Sequence, residues 1–361
     1  MEPDPISARL RELRLRDYRP RSALRVPAHA VPRARFPVVD AHNHLGRWLT
    51  PDWAAPDVGA LLALMDACNI QAIVNLDGRM PDELEANLDR YDRAHPDRFL
   101  TFCQADWRVT SDEGFGEALA AQLRVAVARG ARGLKVWKDL GLHIRDPEGE
   151  LLMPGDARLD PLWEAAAAEA VPVLIHVADP LAFFQPLDER NERLEELLQN
   201  PDWWFGDRSR FPDFDAIIES FESLIARNPA TTFIGAHVGC VSEDLGWVGR
   251  MLGAYPNFLV DIAARSAELG RQPRAARRLL MTHPDRILFG TDEFPPREET
   301  YTTHFRFLET GDESFAYDGD ADAVPTQGRW AISGLDLPED VLRAVYGDNA
   351  RRLLRLPGPS R

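Results

Sequence analysis

FPVVDAHNHLG, residues 36–46, decides how the rest of the chain is read. An apolar run of this kind forms a strand, and strand side chains alternate with period two, so His42 and His44 fall on the same side. Together they offer two imidazole nitrogens to one metal ion. The pattern is also common on ordinary surfaces, so its meaning depends on the segments downstream.

Seven further apolar or β-branched runs lie there, at 71–76, 98–104, 132–137, 171–177, 231–237, 257–262 and 286–292. Helical patterns such as VGALLALMDACN, EALAAQLRVAVARG and FDAIIESFESLIARN separate them. Continuous apolar strands alternating with helices imply a parallel sheet covered on both faces. Eight such units predict an α/β fold of the (β/α)8 TIM-barrel kind over residues 36–357. A doubly wound sheet would need a glycine-rich first turn, and this one is histidine-rich. Residues 1–35 read as an N-terminal extension, with a short amphipathic helix around 6–15 and a Pro- and Arg-rich connector.

Two connections exceed the ~2–6 residues usual in α/β units. Residues 178–213, after the fifth strand, hold Phe183, Phe184, Trp203, Trp204 and Phe205. Residues 293–335, after the eighth, carry the acidic stretch GDESFAYDGDADA. Both leave the carboxyl end of the barrel, where active sites of this fold lie, and are expected to form a lid and wall over the site. A surface excursion without catalytic meaning is the alternative.

The composition is that of an ordinary globular protein, 45% hydrophobic and 28% charged. With 42 basic against 58 acidic residues the net charge is −16, which argues against nucleic acid or an anionic membrane surface as partner. Lys135 and Lys138 are the only lysines, which draws attention to both. Cys68, Cys103 and Cys240 are odd in number, widely spaced and set in or beside apolar segments, as buried thiols in a reducing compartment would be. No apolar stretch approaches the ~20 residues of a membrane span, and the charged N-terminus has no signal-peptide core. A cytoplasmic location and a small-molecule substrate are expected.

The strand ends collect polar residues: His42 and His44 on the first, Lys135 on the fourth, His176 on the fifth, His237 on the sixth and Asp292 on the eighth. A barrel converges these ends on one point. Any one of them reads equally well as a satisfied core histidine or a turn-starting aspartate, but packing does not explain six together.

These segments resemble the amidohydrolase superfamily, specifically its amidohydrolase-related (amidohydrolase 2) branch of metal-dependent hydrolases and decarboxylases. The resemblance is carried by VVDAHNHLG, GARGLKVW, VPVLIHVADP, FIGAHVG, RILFGTDEFP and YGDNARRLL, in the family's order from residue 36 to 355. It implies that His42, His44, His176 and Asp292 are metal ligands. His237 matches the sixth-strand histidine that acts on substrate in mononuclear members and binds a second ion in dinuclear ones. Lys135 matches the lysine that is carboxylated and bridges two ions in dinuclear members, and its presence tilts the reading toward hydrolysis. The resemblance also leaves a homodimer open.

Histidine and carboxylate ligands suit Zn²⁺ first and Mn²⁺ second, one or two ions per chain, and such an ion lowers the pKa of bound water toward ~7. Asp292 is then placed to take and return a proton, and His237 or a second ion to stabilise an oxyanion. The expected activity is hydrolysis of a C–N or C–O bond in a small polar, carboxylate-bearing substrate. Non-oxidative decarboxylation of an aromatic or unsaturated acid is the alternative, and a barrel kept for binding without turnover is a third reading.

Arg79, Arg108 and Arg265 occupy strand-end loops where an Arg fork would suit a substrate carboxylate, with a plain ion pair as the alternative for each; Arg265 is the strongest candidate. Trp203 and Trp204 are read as substrate contacts in the first long connection. His143 and His304 sit in loops on the same side, while His29, His95 and His283 receive no role.

Overall fold

All eight anticipated strands form, in order, in the computed structural model, which describes residues 5–14, 17–18, 20–318 and 326–358. They are β1 (Val38–Asn43), β2 (Ile70–Arg79), β3 (Phe99–Gln104), β4 (Leu134–Val136), β5 (Val173–Ile175), β6 (Phe233–Gly235), β7 (Phe258–Asp261) and β8 (Ile287–Leu288). Each pairs in parallel with the next. Backbone bonds from Ala41 N–H to Phe289 O (2.9 Å) and from Asp292 N–H to His42 O (2.8 Å) bring the last strand back against the first.

The strands are buried almost throughout because both faces are covered, and their polar residues gather toward the site. Val39, Val74, Leu100, Leu174, Ile234 and Leu288 fill the barrel interior together with Ala350 and Leu354 of the C-terminal helix Asn349–Leu354. That helix sits at the amino end of the strands, where Arg132 Nη2 bonds Leu354 O at 2.6 Å. The opposite, carboxyl end is thereby the open one. Outside the sheet, helices present apolar stripes inward; Phe214–Arg227 buries Ile217, Phe221, Leu224 and Ile225 at helical spacing.

The two long connections are more structured than their sequences suggest. Within 178–213, Phe183, Phe184 and Phe205 are buried members of the main core, so this part is wall rather than mobile lid. Within 293–335, Glu298–Glu309 forms a twelve-residue helix that buries Tyr301, His304, Phe305 and Leu308. The sequence reads as loop here because β-branched and aromatic residues weaken the helical signal. Phe315 and Ile332 then exchange backbone bonds of 3.0 and 2.9 Å and close the remainder of the excursion. Part of the acidic stretch, residues 319–325, lies outside the described residues.

The extension begins with a helix, Pro5–Arg11, shorter than the span expected. Cys68, Cys103 and Cys240 are buried free thiols. Among the described residues no helix is long and apolar enough to cross a membrane.

Candidate metal centre

β1 delivers His42 and His44 to the carboxyl end, and each ring is aimed by a buried carboxylate. His42 Nδ1–H donates to Asp261 Oδ2 at 2.8 Å, and His44 Nδ1–H to Asp77 Oδ1 at 2.6 Å. His237, at the end of β6, gives its Nδ1–H to Ala263 O at 2.9 Å. A carbonyl or carboxylate only accepts, so each ring in its neutral form carries its proton on Nδ1 and its lone pair on Nε2. The three Nε2 atoms face one carboxylate: Asp292 Oδ1 is 3.6 Å from His42 Nε2 and 3.4 Å from His44 Nε2, and Oδ2 is 3.7 Å from His237 Nε2.

The lone pairs of His42 and His44 and the Asp292 carboxylate, converging without a proton between them, repel one another unless a cation lies at their centre. The spacing of these three fits one, since ligands at ~2.0–2.1 Å from a tetrahedral ion stand about 3.4 Å apart, while His237 lies outside this close-set group. Among the described residues His44 Nε2, His176 Nε2 and Lys135 Nζ are buried without hydrogen-bond partners, as the ligands of an ion would be. A second triad of His42, His237 and Asp261 is equally close-set. Asp261 is nevertheless spent on orientation: its oxygens accept from His42 Nδ1, His237 N–H (2.8 Å) and Ala263 N–H (3.1 Å).

Two backbone features hold this geometry. His237 and Asp292 have φ of 57° and 58°, a left-handed conformation that non-glycine residues seldom adopt and that turns each side chain across the barrel mouth. A Cβ at Gly290 would stand 2.9 Å from His42 Cβ, so only glycine lets the eighth strand approach the first this closely. Asp40, bonded to Thr291 and Tyr301, stitches the same seam.

Burial, aided by neighbouring Lys135, holds His42 well below the usual imidazole value, and burial does the same for His237. His176 is lowered to about 4 by burial, against the pull of Asp179. All three are neutral imidazoles, the form a metal requires. Burial raises Asp292 and lowers Lys135 to about 8, in spite of nearby Asp292 and Asp261.

The other anticipated residues divide. His176 stands edge-on to His237 with ring centroids 4.5 Å apart, its Nε2 3.3 Å from Asp179 Oδ1 but out of hydrogen-bond alignment. Lys135 is fully buried with Nζ 4.8 Å over the Trp137 ring. Arg265 is buried and bonds only Ala264 O, at 2.8 Å; its Nε has no partner and no carboxylate comes within 4.0 Å among the described residues.

Arg79 and Arg108 are further out, on a cavity of about 500 Å³ also lined by Trp48, Trp107 and Trp137. Arg79 lies over Trp48 at 5.6 Å, whereas Arg108 is 88% exposed and paired with Asp106 at 2.6 Å, the plain ion pair of the two readings. Trp203 is half-exposed near Lys138. Trp204 instead bonds Gln185 O at 2.8 Å and packs against the core. His143 packs beside Phe211, and His304 is buried on its helix, bonded to Thr300 O at 2.8 Å, so it is core rather than loop.

The sequence pattern alone does not single out Asp77, Asp261, Asp179 and Trp137. Asp261 ends the apolar strand FLVD and Asp77 lies near the carboxyl end of β2, positions that are a usable signal. Asp179, buried between Lys138 and His176, lies in a loop whose fold alone brings it to the site.

A sequence profile of the Amidohydrolase family matches residues 39–356. The chain belongs to this amidohydrolase family. It is an enzyme of a metal-dependent family that holds both hydrolases and decarboxylases. No curated protein matches the chain. Among solved structures it is similar to 2,6-dihydroxybenzoate decarboxylase from Rhizobium (TM-score 0.56, 17% identity, 90% of this chain and 100% of that one). It is also similar to 5-carboxyvanillate decarboxylase from Sphingomonas paucimobilis (TM-score 0.52, 17% identity, 89% and 100%). A third is the dihydroxybenzoic acid decarboxylase of Polaromonas sp. JS666, with bound manganese (TM-score 0.55, 17% identity, 89% and 97%). At such identities the likeness speaks for the fold.

Proposed function

We propose that this amidohydrolase-family enzyme hydrolyses a C–N or C–O bond, in an amide, lactone or ester, of a small substrate that bears a carboxylate. The observation that carries the reading is Lys135: a buried amine with no hydrogen-bond partner, lowered by burial to about 8, beside the histidine cluster. Such an amine adds carbon dioxide to give a carbamate, losing one proton, and so becomes an anionic oxygen donor. His237 supports this, since its one ring N–H is given to Ala263 and its Nε2 is left as ligand or base rather than oxyanion donor.

His42, His44, His176 and Asp292 would hold the first ion, Zn²⁺ before Mn²⁺, with His237 and carboxylated Lys135 sharing a second. When bound, the ion supplies an activated water near neutral pH and polarises a carbonyl. Asp292, whose carboxylate faces the same centre, would take the proton of that water on an oxygen and return it to the leaving group. Arg265 holds the substrate carboxylate, because its guanidinium is buried with Nε unpartnered and no carboxylate within 4.0 Å among the described residues. Trp137, between His44 and Trp48, keeps bulk water from that side of the centre.

Decarboxylation of an aromatic or unsaturated acid is the second reading, favoured by the names of the similar structures. There an unmodified Lys135 would remain a proton donor. Metal analysis of protein purified without chelators, together with native intact mass, separates the two. About two ions with the mass of one added carbon dioxide supports hydrolysis; about one ion on unmodified protein, with turnover of aromatic acids and none of amides, lactones or esters, overturns it.

A further inference from the structure

Glu268 lies three residues beyond Arg265, within the short helix Ser266–Arg271 that Arg265 precedes as N-cap. They do not pair. Glu268 Oε1 instead takes Nη2 of Arg193, which arrives from the connection after β5, and the side chains of this pair are 2% and 1% exposed. Arg193 is itself fixed by Glu196 Oε2 at 2.7 Å, by a backbone bond to Asn191 Oδ1 at 2.9 Å, and by stacking over Trp330 at 5.5 Å. Of the other nearby acids outside the metal centre, Glu243 is occupied by Leu181 N–H at 3.0 Å and the Ser242 hydroxyl at 3.1 Å, Glu196 by Arg193, and Asp179 by Lys138. Arg265 is thus left as a buried cation with a free Nε and no ion pair among the described residues, although Glu268 is close enough to favour its charge.

We infer that Arg193 is a positioning residue: by engaging Glu268 it keeps that carboxylate off Arg265 and so leaves the Arg265 guanidinium open to a substrate carboxylate. The inference rests on the reading of Arg265 as carboxylate binder, and it gives the wall after β5 a task in substrate recognition. Removing Arg193 leaves a buried, unpaired Glu268, whose lowest-cost partner is Arg265. The acid then occupies the place of the substrate anion. Glu268 Oε2, buried without a partner, is the oxygen available for that move.

Bromide tests this without turnover. Soaked crystals of the wild type are expected to show an anomalous peak at the Arg265 guanidinium. In Arg193→Met crystals Glu268 should pair with Arg265 and the peak should vanish, while Arg193→Met/Glu268→Gln and Arg193→Lys should both regain it. With a carboxylate substrate from the activity screen, Arg193→Met should raise KM about tenfold with kcat within about twofold, since only binding of the anion is lost. A wild type that binds no bromide there, or Arg193→Met that binds it with Glu268 still away from Arg265, overturns the inference. Should Arg193→Met not fold, Glu268→Gln decides: retained bromide supports competition by Glu268, and lost bromide shows that Glu268 holds Arg265 in place instead. Absence of hydrolysis in every screen would count against the proposed reaction and leave the bromide result standing.

Discussion

Asp261 and His42 are joined by a 2.8 Å bond between Oδ2 and Nδ1, both side chains being shut off from solvent. Because the other oxygen of Asp261 accepts the backbone N–H of His237, one carboxylate at the end of β7 fixes the ring of the first strand and the main chain of the sixth.

Asp261→Asn is therefore expected to weaken metal binding by about 10–100-fold while the barrel stays folded, as loss of a partner that orients a ligand does. Competition with a chromophoric chelator measures it. Unchanged affinity would mean that His42 is oriented by its packing alone.

The two ends of the ligand set should separate metal from chemistry. Asp292→Asn keeps an oxygen among the Nε2 atoms of His42, His44 and His237 but cannot take a proton. It should hold much of the metal and lose about 10²–10⁴ in kcat. His176→Ala should lose metal and activity together. Elemental analysis beside steady-state kinetics reads both, and near-wild-type turnover in either variant would sink the mechanism.

Trp203 and Trp204, adjacent in sequence, should behave differently. Trp204→Ala removes the bond to Gln185 O and contact with the core, and should cost about 2 kcal/mol. Trp203, 41% exposed and stacked on Phe183 with centroids 6.2 Å apart, should cost at most about 1 kcal/mol and change KM more than stability. Urea denaturation distinguishes them; equal losses would place both side chains in the core.

The barrel was legible because each of its strands is a short apolar run bounded by turn residues, and that pattern does not depend on distant partners. His42, His44, His237 and Asp292 were legible as candidates for a related reason: a charged or basic residue ending a buried strand has no packing explanation. Arg265 was legible as a candidate, but its lack of a counter-ion was not, since the acid three residues on is taken by Arg193, 75 residues away in sequence. The same limit hid Asp179 and misplaced His304. Their environments are set by how long connections fold back, and a helix such as Glu298–Glu309, with threonines, tyrosine and phenylalanines, is held by burial rather than by propensity.

Asp92 offers a pH test away from the metal ligands. Its oxygens accept Thr101 N–H at 2.8 Å and Thr101 Oγ–H at 2.6 Å, yet burial outweighs these bonds and raises it from 3.8 to about 6. The unfolded chain releases this proton first as pH rises, so between about 3.8 and about 6 the native state binds more protons than the unfolded one. Stability contributed by Asp92 therefore falls with rising pH across that window and is level above it. Asp92→Asn keeps an acceptor for the backbone N–H and a donor for the hydroxyl but does not titrate. Thermal melts of the two proteins should give a Tm difference, variant minus wild type, that grows in the variant's favour through the window and then stays constant. A difference flat across the window would show that Asp92 titrates alike in the folded and unfolded chains and that its burial is relieved by water.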